Sequence, residues 1–111
     1  MNDKSPVLIK LTQTDEYQRL LNGAPSTAGM KSGCVTLKPG ESVGEHKTQG
    51  KEEAIIVLEG EADVYVEGAF VFTAGKESLV YIPPETNHDI RNSRNQKLRY
   101  IYITVPVMVG M

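Results

Sequence analysis

Two histidines, His46 and His88, are the only imidazoles in the chain, and each stands beside a turn at the edge of an expected strand. An imidazole so placed can move a proton or ligate a metal. Taken alone, two histidines are more commonly solvated or hydrogen-bonded structural groups, so residue type does not decide between these roles. Tyr65, Tyr81, Tyr100 and Tyr102 also fall within expected strands. Tyr100 and Tyr102 are two residues apart and share one strand face, where a phenol could hold a substrate oxygen or act as a general acid. Packing with the hydroxyl at a rim is the commoner use of such tyrosines. Cys34, the single cysteine, has no cluster of cations beside it and reads as a buried, inert thiol. Arg91, Arg94 and Arg99 could grip a carboxylate or phosphate, but Arg91-Asn92-Ser93-Arg94 reads chiefly as a solvated turn.

The elements that must position these groups are set by turn punctuation. Pro39-Gly40, Gln49-Gly50, Glu59-Gly60, Glu67-Gly68, Ala74-Gly75, Pro83-Pro84 and Asn92-Ser93 recur every seven to ten residues, a spacing that suits short strands and leaves no room for helices. Between them, Ala54 to Leu58, Ala62 to Val66, Phe70 to Thr73, Leu79 to Ile82, His88 to Arg91 and Leu98 to Val105 are rich in β-branched and aromatic residues and are predicted as strands. Gly33 to Lys38, or a stretch starting at Met30, opens the main sheet. Ala62 to Glu67 alternates, whereas Ile55-Ile56-Val57-Leu58 is apolar on both faces and calls for a second layer. A short N-terminal strand is expected over Val7 to Leu11. A short helix is expected after it, with Thr14 capping, Asp15-Glu16 in its first turn, Tyr17, Leu20 and Leu21 at helical spacing, and Asn22-Gly23 stopping it.

At 111 residues with 40% hydrophobic and 23% charged residues, the chain is long enough for one core and too short for two. One domain over residues 1–111 is expected, with the N-terminal strand and helix over about 7–22 and a β-sandwich or closed barrel over about 30–109. The net charge of −2 comes without a basic face, which argues against nucleic acid and anionic membrane as partners. The apolar run near the N-terminus is only Val7 to Leu11 with Lys10 inside it, so neither an export leader nor a spanning segment is expected, and the expected location is the cytoplasm. A lone cysteine suits that reducing compartment.

The order Gly40, His46, Thr48, Glu53, Gly60 resembles the first motif of the cupin family: Gly, five residues, His, one residue, His, three or four residues, Glu, six residues, Gly. Thr48 stands where the family usually places its second histidine. Gly75, Pro83, His88 and Asn92 are similar to the second motif, with Pro followed five residues later by His and four later by Asn. Here Gly75 lies eight residues before Pro83 rather than six, and Glu85 replaces a usual glycine.

The resemblance implies an all-β, jelly-roll barrel (double-stranded β-helix) of two antiparallel sheets, with His46, Glu53 and His88 projecting into its mouth. Two imidazoles and one carboxylate with open positions suit Fe(II), Mn(II), Ni(II) or Zn(II). Thr48, two residues after His46, would face the same side of a strand and could orient a metal-bound water. Glu52 is the fallback for Glu53, and Tyr100 and Tyr102 are candidates for the ligand-facing wall. Members of the family include dioxygenases, isomerases, epimerases and lyases, so the implied role is binding or converting a small polar molecule such as a sugar acid. The opposing reading is a barrel without metal that binds or senses a small molecule. Edges left by Val7 to Leu11 and by the last strand, Ile101 to Val109, favour a homodimer.

Overall fold

Burial alternates along the chain wherever Val, Ile and Tyr alternate with polar residues, and that period of two produces sheets with one wet and one dry face. In the computed structural model, which describes residues 5–108, these stretches form β1 (Gln18–Asn22), β2 (Lys31–Leu37), β3 (His46–Lys47), β4 (Lys51–Glu59), β5 (Ala62–Val66), β6 (Ala69–Ala74), β7 (Leu79–Ile82), β8 (Asn87–Arg91) and β9 (Leu98–Pro106). They build two antiparallel sheets, one in the order β1-β2-β9-β4-β7 and the other β3-β8-β5-β6. Position 109, the expected end of the last strand, lies outside the described residues.

The core lies between the layers. Glu53, Ile55 and Val57 of β4 point inward, while Glu52, Ala54, Ile56 and Leu58 are only half-buried on the outer face. Ile55, Val57, Val64, Ile82, Ile90, Leu98 and Tyr100 meet in one cluster. Each of the fully buried aliphatic side chains contributes about 1.5–3 kcal/mol relative to an exposed one.

The expected N-terminal helix is absent among the described residues; Gln18–Asn22 is a strand instead. Tyr17, Leu20 and Leu21 match helical spacing, but the chain pairs with β2 instead, and a bulge between Arg19 and Leu21 shifts the register so that the extra residue is absorbed within the strand. Pairing along the otherwise open edge of β2 outweighs the weak local helix preference. Residues 7–11 form no strand. The segment that follows is tied down by side chains, since Gln18 Nε2 donates to the Lys10 carbonyl and Arg99 Nη2 to the Thr12 carbonyl.

Two buried polar groups hold the turns. Asn92, 2% exposed, donates from Nδ2 to the Leu37 and Gln96 carbonyls and accepts the Arg94 backbone N–H, so the asparagine of the second motif closes a loop. Asp63 accepts hydrogen bonds from Thr73 and Ser93, with Arg94 beside it. Burial pushes its carboxyl up, but the two hydroxyls and the guanidinium outweigh that and hold it below the usual value. A depressed carboxylate stabilises the fold above its unfolded pKa, near 3.9, and that contribution disappears as pH falls through the lowered value. Asp63→Asn should therefore remove about 1–2 kcal/mol at neutral pH and flatten the acid limb of the stability curve. Thermal unfolding between neutral and strongly acid pH reads this, and parallel acid limbs for parent and variant would contradict it.

Candidate metal centre

The two-residue strand β3 exists because it pairs with β8, and its register sets His46 directly opposite His88. The ring centroids are 4.2 Å apart. Glu53 comes from β4 in the other sheet, so the three side chains meet across the two layers. One ligand atom from each of His46, Glu53 and His88 lies within 4.8 Å of the other two. Donors about 2.1 Å from one ion stand roughly 3 to 4 Å apart, so the set needs only a small contraction to close on a metal.

Both imidazoles are oriented for that role. His46 Nδ1 lies 3.0 Å from the Gly44 carbonyl and His88 Nδ1 lies 3.2 Å from the Thr86 carbonyl. A carbonyl only accepts, so each Nδ1 carries the proton and each Nε2 presents a lone pair. His88 is 1% exposed, and its Nε2 has no hydrogen-bond partner. Glu53 Oε1 is 3.1 Å away but out of line for a hydrogen bond. A buried ring nitrogen left without a partner beside a buried carboxylate is the arrangement that a divalent ion completes. Burial pushes the His88 imidazole down, yet Glu53, the Thr86 carbonyl and Asp89 together raise it above its ordinary value.

Asp89, 4% exposed, supports the site from behind and was not singled out by sequence reasoning. Its Oδ1 accepts the Gly44 N–H at 2.9 Å and its Oδ2 the Arg91 Nε–H at 2.9 Å, while the Arg91 guanidinium covers the Tyr65 ring at 3.8 Å. Arg91 is thus part of this support rather than of a solvated turn. Because the Gly44 carbonyl fixes His46, Asp89→Ala should weaken metal binding about 10- to 100-fold. Metal titration checks this, and unchanged affinity would dismiss the support.

Thr48 is fully buried, and its hydroxyl is committed elsewhere: it donates to the Pro83 carbonyl at 2.6 Å and accepts the Thr86 N–H at 3.0 Å. It pins the turn that carries His88 and is not among the residues lining the mouth. Glu85, at the position where the family places glycine, adopts the left-handed conformation with φ of 57°. Glu52 stands on the outer face, where its carboxylate accepts the Tyr81 hydroxyl.

His46 and Glu53 line a cavity of about 570 Å³ whose wall also includes Val35, Val43, Ile90, Tyr100 and Tyr102, while His88 is buried behind them. Tyr100 and Tyr102 therefore share this wall, as their spacing implies. Burial, with Glu53 and Asp89 nearby, pushes the Tyr100 phenol up, so it stays protonated at neutral pH. Tyr17, Lys31, Lys51 and Thr104, with Gly44 and Glu45, complete the wall and were not anticipated. The only sequence mark of the first four is position: Tyr17 precedes a strand read as a helix, Lys31 and Lys51 open β2 and β4, and Thr104 follows Tyr100 and Tyr102 at the same period of two on the expected last strand.

A two-sheet antiparallel barrel with a His, Glu, His cluster at its mouth is the architecture of a cupin. The chain belongs to that family: the Cupin domain model matches residues 33–104. It is 30% identical over 86 residues to polyketide synthase CurC of Streptomyces cyaneus, covering 75% of this chain and 55% of that protein, so it spans about half of that relative's length. Among solved structures it is similar to a cupin protein from Bacteroides fragilis, with a TM-score of 0.77, 17% identity and coverage of 98% of this chain and 91% of that one. It is also similar to a Cupin 2 conserved barrel domain protein from Salinispora arenicola, with a TM-score of 0.74, 21% identity and coverage of 93% and 92%. These structural likenesses show the fold. No helix among the described residues is long and apolar enough to cross a membrane.

Proposed function

We propose that the protein holds one divalent ion, Fe, Mn, Ni or Zn, through His46, Glu53 and His88, and offers the open coordination positions to a small carbonyl or enol compound in the cavity. The observation that carries this is the buried His88 Nε2 without a hydrogen-bond partner. The ion would act as a Lewis acid on a carbonyl or enol oxygen. The residues of the chain do the rest: Asp89 and the Gly44 and Thr86 carbonyls orient the imidazoles, and the protonated Tyr100 phenol is available as a donor. Val35, Val43 and Ile90 give the cavity an apolar side. That wall, together with the similarity to a polyketide synthase, favours an enolisable ligand with an apolar body over the sugar acid expected from the family alone.

A second reading rests on the 3.1 Å approach of Glu53 to His88, which lets the two residues neutralise each other in a metal-free binding module. Elemental analysis of untagged protein separates the readings. About one equivalent of metal supports the first, and protein that lacks metal and fails to take up any of the four ions overturns it. A cytoplasmic homodimer completes the proposal. Val7 and Leu8 are 71% and 87% exposed, and Leu79 and Tyr81 on the outer sheet face are 70% and 57% exposed, giving a second copy apolar surface to cover. Light scattering that finds a monomer would remove the dimer.

A further inference from the structure

The end of the cavity formed by Tyr17 and Tyr102 is built around a missing side chain. Gly33 pairs with Tyr102 on one side and Arg19 on the other, and a Cβ there would meet the Tyr17 hydroxyl at 2.5 Å and Tyr102 Cε2 at 2.7 Å. The two phenols occupy that space, with their oxygens 2.6 Å apart. Arg19 Nε donates to the Tyr17 oxygen at 3.1 Å.

Counting protons gives this cluster a direction. Each phenol carries one O–H, the bond between them uses one, and the guanidinium only donates. One phenolic O–H is therefore left over, and both rings line the cavity. Lys31 and Lys51 line it as well, and neither is in an ion pair among the described residues. The facing acids are Glu45 and Glu53, of which Glu53 is assigned to the metal. With an ion bound, the cavity carries an excess of positive charge. Burial, and the bond to Tyr17, push the Tyr102 phenol up to about 12, so Tyr102 keeps its proton at neutral pH.

We propose that Tyr17 and Tyr102, backed by Arg19 and flanked by Lys31 and Lys51, form an oxyanion subsite, and that the ligand is an acid whose charged oxygen, on a carboxylate or an acidic enol or phenol, accepts the spare phenolic hydrogen. This rests on the reading of the cavity as the ligand site and adds the charge of the ligand and the residues that select it. A neutral amide of the same shape would meet the donors without the charge attraction.

The test uses three non-chelating probes, benzoate, 4-nitrophenolate and benzamide, titrated by NMR into the protein as purified. Both anions should bind about tenfold more tightly than benzamide. Arg19→Gln and the double variant Tyr17→Phe with Tyr102→Phe should each remove most of that preference, with metal content unchanged. Gly33→Ala, which forces the phenols apart, should also remove it. Preference for benzoate would assign a carboxylic acid, and preference for 4-nitrophenolate an enolic or phenolic one. Equal binding of anions and benzamide, no binding of any probe, or an anion preference that survives in Arg19→Gln overturns the subsite. Absence of metal from a parent that still prefers the anions overturns the metal reading alone.

Discussion

His88→Ala is expected to lower metal affinity by at least about a hundredfold and to leave purified protein with well under one equivalent of metal. His88 and His46 are the two nitrogen donors of the cluster, and a single imidazole with a carboxylate holds a first-row ion poorly. His46→Ala should lose metal to the same degree. The two variants should differ in stability, because His88 is fully buried whereas His46 is exposed at the mouth. Removing the buried ring should cost the apoprotein about 1–3 kcal/mol, and removing His46 close to nothing. Metal analysis beside thermal unfolding reads both quantities. Retention of metal by either variant would remove its histidine from the site.

The pH dependence of this centre carries its own sign. The raised His88 imidazole stabilises the apoprotein below its unfolded pKa, near 6.5, and this contribution is lost as pH rises through the raised folded value. Metal needs the neutral ring, so affinity should move the other way, falling as pH drops through the same region. Apoprotein stability and metal uptake with opposite slopes would identify one titrating group behind both. In His88→Ala both slopes should flatten.

The legible part of this molecule is the part where residue pattern and packing agree. The expected strands over Ala62 to Val66 and Leu79 to Ile82 coincide with β5 and β7, because β-branched runs between turn residues have no competing structure to adopt. The positions of His46, Glu53 and His88 were readable from motif spacing, since the antiparallel register converts fixed loop lengths into fixed side-chain positions. Thr48 was not readable. The rule that residues two apart share a face holds only while the strand continues, and β3 ends at Lys47; the next turn carries Thr48 beneath the Pro83 carbonyl. Strand β1 was missed because Tyr17, Leu20 and Leu21 fall at helical spacing, and the bulge between Arg19 and Leu21 breaks the period of two that would mark a strand. With it went Tyr17 and Arg19, whose importance depends on contact with Tyr102, far away in the chain. Local pattern carries no information about such a contact.

The second large effect is expected at Gly60, the last residue of the first motif, and it is a backbone effect. Gly60 has φ of +83° at the turn from β4 to β5, where the chain leaves one sheet for the other. Gly68, between β5 and β6, has nearly the same φ of +80°, with open space where a Cβ would stand. A Cβ on Gly60 would instead overlap the Lys97 carbonyl oxygen and lie 2.9 Å from Leu98 Cα. Left-handed backbone alone costs a non-glycine residue about 1–2 kcal/mol, and Gly68→Ala should cost about that much. Gly60→Ala adds an overlap with backbone that leads directly into the fully buried Leu98, so the turn cannot yield without moving β9 in the core. The expected cost is about 4 kcal/mol or more, a fall in Tm of roughly 15 °C or more for a domain of this size. Because β9 also carries Tyr100 and Tyr102, the cavity wall should loosen along with the core. Thermal unfolding of the two variants side by side measures the difference between them, which isolates the close approach from the shared backbone strain. Equal losses in the two variants would mean that the overlap at Gly60 is relieved by a shift the turn can make freely, and that the motif glycine is required for its φ alone.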